Sequence, residues 1–325
     1  MKAVGLNRFG SAEVLEYLDL PDPRPKPGQV LIQVEAAGIN RADIVIREGR
    51  YPVDGGFPVV PGYEVAGKIK SLGDGVKNFK PEQRVCALVE IGGYAEQVCA
   101  PVDLTFSVPD KLSIQEAGGV PVVFLTSWMT LFHLAKLQKD ETVLVHSAGS
   151  GVGIAAIQLA RQRGAKIITT AGTDEKLQKA KELGADFTIN YNKTEFSKAI
   201  KEYTQGRGVN VILDGIGGSA LDGNIKSLAP LGRLVLIGTV GGLEPQLHIG
   251  RALVRNLTIY AFHIHRWASS AGTKELKQAG IEIMQLLSEG KLRSIIDKTF
   301  SFTEAAQAHH YMEERKNFGK IILTP

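Results

Sequence analysis

The stretch VLVHSAGSGVGIAAIQLAR, Val143 to Arg161, opens with apolar residues, collapses into small ones between Ser147 and Gly153, and then turns apolar again. TVLVHS (Thr142–Ser147) reads as a strand and GIAAIQLARQRG (Gly153–Gly164) as a helix. Between them, AGSGVG (Ala148–Gly153) suits a tight strand-to-helix turn whose backbone N–H groups face a pyrophosphate. Ala148 and Ser150 stand where the G-x-G-x-x-G pattern has its first two glycines, so the pattern alone is weak. The other reading is a glycine turn joining two buried elements. Context favours the cradle: a strand ends before it, a helix begins in it, and a second strand, KIITTAG (Lys166–Gly172), follows at the right interval. Ala148, Ser150, Gly151 and Val152 are the candidate phosphate-side residues.

Outward from this stretch the chain has two textures. After about Gly118 strands and helices alternate: DEKLQKAKELG (Asp174–Gly184) reads as a helix, and FTINY, VNVILDGIGG, RLVLIGTVGG and LTIYAFHI continue the strands. Continuous apolar strands, rather than alternating ones, belong to a sheet covered on both faces, hence a parallel, doubly wound α/β unit. Residues 1–110 instead carry short β-branched runs bounded by Gly and Pro: VLIQVEAAGI, EVAGKIKSLG, QRVCALV and GYAEQVCAP. These predict a mainly antiparallel or barrel-like unit. PDPRPKPGQ (Pro21–Gln29) is short enough to be an extended loop inside it. After about Ile264 a helix over Lys274–Gly290 leads to a terminal GKIILTP.

The 325 residues exceed one ordinary core and predict two domains. Hydrophobic content of 44% and charge of 22% are those of a globular chain rather than a disordered one. The formal charge is +4, from 38 Lys and Arg against 34 Asp and Glu, and the cations are scattered, so no nucleic-acid partner is expected. Cys86 and Cys99 are too few for a disulfide framework or a four-cysteine zinc site, and read as reduced thiols. No signal-peptide pattern opens the chain and no run approaches a membrane span, so a soluble, cytoplasmic protein without membrane partner is expected.

The second strand of an NAD-binding unit usually ends in Asp or Glu, which bonds the adenosine ribose. Here Ala171 occupies that place and does not repel a 2′-phosphate. Lys176 can supply positive charge and Tyr191 a hydroxyl; the other reading of Lys176 is a solvated helix lysine. NADPH is the expected cofactor.

Taken jointly, PDPRPKPGQVLIQV, AAGINRAD, PVVPGYEVAG, GGYAEQ, AGSGVG, KAKELGAD and GKIIL resemble the medium-chain dehydrogenase/reductases along the whole chain. The resemblance implies a GroES-like β-barrel catalytic domain, residues 1–120 and 266–325, around an inserted Rossmann nucleotide-binding domain, 121–265. The zinc-dependent branch has ligands where this chain has Gly38-Ile39-Asn40 and Tyr63, together with a four-cysteine lobe that this chain lacks. His263 and His265 have no evident third partner, so no metal is expected. What remains is similar to the zinc-free quinone oxidoreductases of the zeta-crystallin type, in INRAD and REGRYP above all. The resemblance places Asn40 and Tyr51 in the cleft near the nicotinamide, with Thr126 near its amide. It places Gly172, Lys176 and Tyr191 at the 2′-phosphate, Gly238 and Thr239 at a strand end beside the nicotinamide, and Arg315 as a C-terminal cofactor contact. Trp128 departs from the branch and is expected to narrow the pocket.

A quinone is already electrophilic, so hydride transfer to it needs orientation and exclusion of water more than acid catalysis. Asn40 and Tyr51 are expected to donate hydrogen bonds to the acceptor oxygen, unless they serve only local backbone and packing. Two rivals stand beside this reading: an NADPH-dependent C=C reductase of enones, enals or enoyl thioesters, with Tyr51 as proton donor, and a low-turnover NADPH-binding structural or nucleic-acid-binding protein. The resemblance also implies a homodimer, with LTIYAF (Leu257–Phe262) pairing edge to edge unless its own chain covers it.

Overall fold

Val30, Ile32 and Val34 are all buried along β3 (Gln29–Gly38), the strand that organises the first of two units. The computed structural model describes residues 1–51, 53 and 55–325, and divides them into Met1–Leu125 with Ala271–Pro325, and Thr126–Ser270. The sequence boundaries near 120 and 265 fall a few residues earlier, the second because a helix over Ile264–Ser270 stays with the second unit. In the first unit, β3 pairs antiparallel with β4 (Glu64–Leu72) along one side. Along its other side it takes β6 (Gln97–Pro101) over its first half and β15 (Lys320–Thr324) over its end. The sheet continues from β4 through β5 (Arg84–Leu88) to β7 (Thr105–Ser107), and from β15 to a parallel β14 (Ile296–Ser301). β1 (Lys2–Gly5) and β2 (Glu16–Asp19) form a separate antiparallel pair. Thus the antiparallel unit is completed by strands from the end of the chain.

The second unit carries one parallel sheet in the order β10-β9-β8-β11-β12-β13. Its strands are β8 (Thr142–Val145), β9 (Lys166–Ala171), β10 (Phe187–Asn190), β11 (Val209–Asp214), β12 (Leu228–Leu236) and β13 (Thr258–Ala261). Counted from β8 this is the 3-2-1-4-5-6 order of dinucleotide-binding folds, with the first strand in the middle. Val143, Leu144, Val145, Ile167, Ile168, Val211 and Ile212 are all fully buried, as a sheet covered on both faces requires. Among the described residues no helix is long and apolar enough to cross a membrane.

A helix over Arg41–Arg47 was not legible as such, since its neighbourhood reads as strand and loop. Its missed signal is a capping box: Asn40 is the N-cap, and Asp43 reaches back to the Asn40 N–H at 2.7 Å. Asp43 also accepts from Gly62 N–H at 3.1 Å and from Tyr94 Oη at 3.0 Å. Tyr94 Oη lies 3.2 Å from His309 Nε2, and His309 Nδ1 lies 3.4 Å from Arg47 Nη1. Arg47 has only hydrogens to give, so Nδ1 accepts and Nε2 carries the proton. The donors therefore run one way, from Arg47 through neutral His309 and Tyr94 to Asp43. All four residues are at most 1% exposed, and Arg47 continues to Glu313 at 2.5 Å.

Burial lowers the His309 pKa from 6.5 to about 3, with the Arg47 charge adding to the effect. Burial also raises the Asp43 pKa from 3.8 to about 6 against its hydrogen-bond donors. On acidification the depressed His309 costs stability as pH falls below 6.5, because the unfolded chain takes up the proton first. The raised Asp43 has the opposite sign: its contribution is present at low pH and is lost as pH rises towards 6. The two slopes oppose each other between about pH 4 and pH 6. Asp43→Asn should therefore make stability fall more steeply on acidification than in the parent, and His309→Gln should make it fall less or rise. Each difference should reach up to about 1.4 kcal/mol per pH unit in denaturant unfolding. Slopes displaced in the same direction by both variants would refute this assignment.

Candidate functional site

The turn after β8 is built by backbone crowding. Ser147 adopts a left-handed φ of 59°, and a Cβ at Gly153 would overlap the Ser147 carbonyl oxygen. Only glycine lets the following helix, Gly151–Arg163, start so close to the strand end. Ser150 is its N-cap, its Oγ accepting from Gly153 N–H at 2.9 Å. The first-turn amides of Gly151 and Val152 have no acceptor within the helix, and they lie at the positive end of the helix dipole. Ala148 does not share their role as expected from sequence. It is fully buried, and its N–H donates to Thr170 O at 2.8 Å. Ser150 N–H is likewise spent on Ser147 O, so Ser150 serves the turn through its hydroxyl cap. Of the four candidate residues, Gly151 and Val152 are thus the ones that could face an anion with their amides.

At the next strand end, Gly172 follows β9 and Tyr191 follows β10. Tyr191 N–H bonds Ala171 O at 3.1 Å, and Asn192 Nδ2 donates to Gly172 O at 2.8 Å. A Cβ at residue 172 would come within 2.8 Å of Tyr191 Oη, so the small residue keeps that hydroxyl against the loop. Lys176 lies in the first turn of the helix Asp174–Glu182, its N–H capped by Thr173 Oγ1 at 3.3 Å. Gly172, Lys176 and Tyr191 therefore lie together beyond the ends of β9 and β10.

Gly238 and Thr239 follow β12 and pack against the loop that follows β11. A Cβ on Gly238 would sit 2.7 Å from Gly215 O, and one on Gly217 would sit 2.8 Å from Gly238 O. This loop is held by residues that sequence reasoning missed. His146, at the end of β8, lies 3.0 Å from Thr170 Oγ1 through Nδ1 and 2.8 Å from Asn224 Oδ1 through Nε2. Asn224 Nδ2 donates to Asp214 Oδ2 at 2.8 Å, and Asp214 collects the N–H groups of Ile216 and Gly217. Burial lowers the His146 pKa and keeps the ring neutral, able to accept at one nitrogen and donate at the other. Thr126 lies early in this unit, 7% exposed, with its carbonyl accepting from Thr130 Oγ1 at 2.7 Å. Trp128 meets Phe132 edge-on at 5.8 Å, and Arg163, at the far end of the cradle helix, lies over that Phe132 ring. That packing gives Trp128 a structural use within this unit.

In the first unit, Asn40 is 8% exposed and heavily engaged. Its Nδ2 donates to Gly38 O at 3.2 Å and Glu64 Oε1 at 3.0 Å, and its Oδ1 accepts from Lys320 Nζ at 2.9 Å. Both amide hydrogens are used, so the expected hydrogen bond from Asn40 to an acceptor oxygen has no proton to give. Tyr51 is half-buried and packs on the cluster of Leu6, Ile46, Val59 and Tyr63. Its neighbour Pro52, the end of REGRYP, lies outside the described residues. Arg315 is exposed in a left-handed turn with φ 55°, and its charge, after burial, helps to lower the pKa of Arg41. Arg41 was not anticipated; it donates to Met312 O at 3.0 Å.

The positions that would ligate zinc do not fit a metal. Tyr63 is buried, Asn40 is engaged, and the Lys320 ammonium lies 2.6 Å from Glu64 Oε1 while Glu64 Oε2 accepts from Val122 N–H. Among the described residues no three His, Cys, Asp or Glu side chains converge as a metal site, His263 and His265 included. A dinucleotide fits better: close-approach glycines, a helix start and the strand carboxyl ends lie together in the second unit. Gly153→Ala should destabilise that unit by about 1–3 kcal/mol through overpacking and weaken NADPH binding. Denaturant unfolding and nucleotide titration check this; parental values in both would show that the approach tolerates a methyl group.

Residues 26–110 match the alcohol dehydrogenase GroES-like domain, and residues 151–281 match the zinc-binding dehydrogenase domain. Rat quinone oxidoreductase is 32% identical over 99% of this chain and 97% of its own. A 2-haloacrylate reductase of a Burkholderia species is 31% identical over 99% of this chain and 98% of its own. The crystal structure of Escherichia coli quinone oxidoreductase complexed with NADPH superposes with a TM-score of 0.93 at 28% identity, covering 100% of both chains. A GroES-like unit completed by the chain end and a Rossmann sheet inserted into it are thus shared by sequence and by fold, and the chain belongs to the medium-chain dehydrogenase/reductases, in their quinone oxidoreductase branch.

Proposed function

We propose that this protein is a zinc-independent, NADPH-dependent quinone oxidoreductase. The observation that carries the reading is the combination of a dinucleotide cradle with an ammonium, Lys320, among the groups at the zinc-ligand positions. The relatives named quinone oxidoreductase and the NADPH complex support it. When bound, NADPH supplies the hydride. Gly151 and Val152 hold the pyrophosphate with their amides, while Tyr191 and Lys176 receive the 2′-phosphate. Gly238 and Thr239 form a flat backbone wall beside the nicotinamide, Thr126 meets its amide, and Arg315 adds charge to the cofactor. Asn40 positions the start of the helix after β3. Tyr51 keeps the donor role and gives a hydrogen bond to the acceptor oxygen as charge develops there.

A second reading, a reductase of electron-poor C=C bonds, is favoured by the 2-haloacrylate reductase relative. It uses the same residues, with Tyr51 giving the proton to the carbon. EDTA-treated protein offered NADPH with a small quinone and with a simple enone should oxidise NADPH faster with the quinone, and more slowly with NADH in its place. Faster turnover of the enone selects the second reading. Tyr51→Phe should lower kcat/KM for the quinone about tenfold, the worth of one hydrogen bond to a developing charge. Parental kcat/KM would remove Tyr51 from the mechanism. The low-turnover alternative requires NADPH binding without oxidation by either acceptor.

The chain is further proposed to act as a cytoplasmic homodimer. β13 is the edge of its sheet, and Leu253 and Val254, just before it, are 70% and 85% exposed. Such an edge invites pairing with its own copy across a two-fold axis. Light scattering should give twice the chain mass, and Val254→Glu with Ile259→Lys should give the monomer. A parental protein that is already monomeric would sink this assembly.

A further inference from the structure

The strand end that selects the nucleotide carries a carboxylate after all. Ala171 leaves the usual position empty of charge, but Asp174 opens the next helix three residues later, beside Gly172 and Thr173. A carboxylate at this edge favours a free ribose hydroxyl and repels a 2′-phosphate. The structure shows where its charge goes. Asp174 Oδ1 accepts from Asn190 Nδ2 at 2.6 Å, and Oδ2 accepts from Lys193 Nζ at 2.5 Å.

Asn190 ends β10, and Lys193 lies in the turn after it, which also carries Tyr191. Within this turn Asn190 Oδ1 accepts from Asn192 N–H at 3.1 Å, and Asn190 O accepts from Lys193 N–H and Thr194 N–H. Asn192 Nδ2 in turn holds Gly172 O at 2.8 Å. The turn is therefore fastened to both ends of the Gly172–Asp174 segment, and its lysine meets a carboxylate that would oppose a phosphate there. The contact favours the charged carboxylate: the Lys193 hydrogen bond, then that of Asn190, lowers the Asp174 pKa. The neighbouring Glu175 is matched in the same way by Lys179 at 2.7 Å.

We propose that Lys193 is a specificity-determining residue, which admits a 2′-phosphorylated dinucleotide by cancelling the charge of Asp174 rather than by contacting the phosphate. This rests on the proposed preference for NADPH. As a stability element the pair is worth little, since its side chains are 64% and 66% exposed. Its effect is on an anion arriving within about a Debye length, roughly 10 Å at moderate salt.

Direct titration of the full-length protein with NADPH and with NADH tests it. The parent should bind NADPH more tightly; a parent that binds NADH as well or better overturns the cofactor reading and this inference with it. Given that preference, Lys193→Met should weaken NADPH binding about fivefold and leave NADH within about twofold, an effect that shrinks as salt is raised. Adding Asp174→Asn to Lys193→Met should restore the preference. A Lys193→Met protein with the parental ratio of affinities overturns the proposal while leaving the cofactor reading intact. So does a double variant no better than Lys193→Met, which would make Lys193 a direct phosphate ligand.

Discussion

The close approach of Gly153 to the Ser147 carbonyl sets the geometry on which the second unit depends. With no Cβ at 153, the helix Gly151–Arg163 begins directly over the end of β8, and its first amides face outward instead of into the strand. β8 is the central strand from which the sheet runs both ways, so the helix start lies at the point where strand order reverses. The neighbouring strand ends then supply small residues in turn: Gly172 after β9, Gly215 after β11 and Gly238 after β12. Close backbone contact at these ends leaves room for a flat ligand above them.

Both units stabilise their functional loops with buried, one-directional hydrogen-bond chains that terminate on an aspartate. In the first, Arg47, His309 and Tyr94 lead to Asp43, which gathers the N–H groups of Asn40 and Gly62. In the second, Thr170, His146 and Asn224 lead to Asp214, which gathers those of Ile216 and Gly217. A buried carboxylate is expensive to desolvate unless donors surround it, and backbone N–H groups at turns need acceptors. Each aspartate meets both demands at once. A neutral histidine suits the middle of such a chain because one ring nitrogen accepts while the other donates.

The Lys320–Glu64–Asn40 cluster is the first unit's answer to burying charge near the end of β3. Three acceptors, Ile39 O, Asn40 Oδ1 and Glu64 Oε1, lie within hydrogen-bond distance of one ammonium, and the second Glu64 oxygen takes a backbone N–H. Lys320 is 4% exposed and Glu64 fully buried, so the pair survives only because nearly every polar atom is matched. That closure also explains why Asn40 has no hydrogen left for a substrate.

Much of the architecture was legible because it depends on local pattern. Continuous apolar runs marked the parallel strands, the small-residue turn marked the cradle, and β-branched runs between Gly and Pro marked the antiparallel unit. The helix Arg41–Arg47 escaped, since its signal was a capping box only seven residues from the helix end, inside strand-like sequence. Ala171 was also readable from its distance to the cradle, whereas the family resemblance brought Gly172, Lys176 and Tyr191 to the same strand ends. What the sequence by itself determined is therefore the order of elements and the presence of a phosphate-binding turn. Only the tertiary structure decided which polar groups remain available: it spent the Ala148 and Ser150 amides and both Asn40 amide hydrogens, set Trp128 against Phe132, and brought Lys193 to Asp174. Ala148 with Thr170, Asn40 with Glu64, and Lys193 with Asp174 are partners far apart in the chain, and no local spacing records which donor reaches which acceptor.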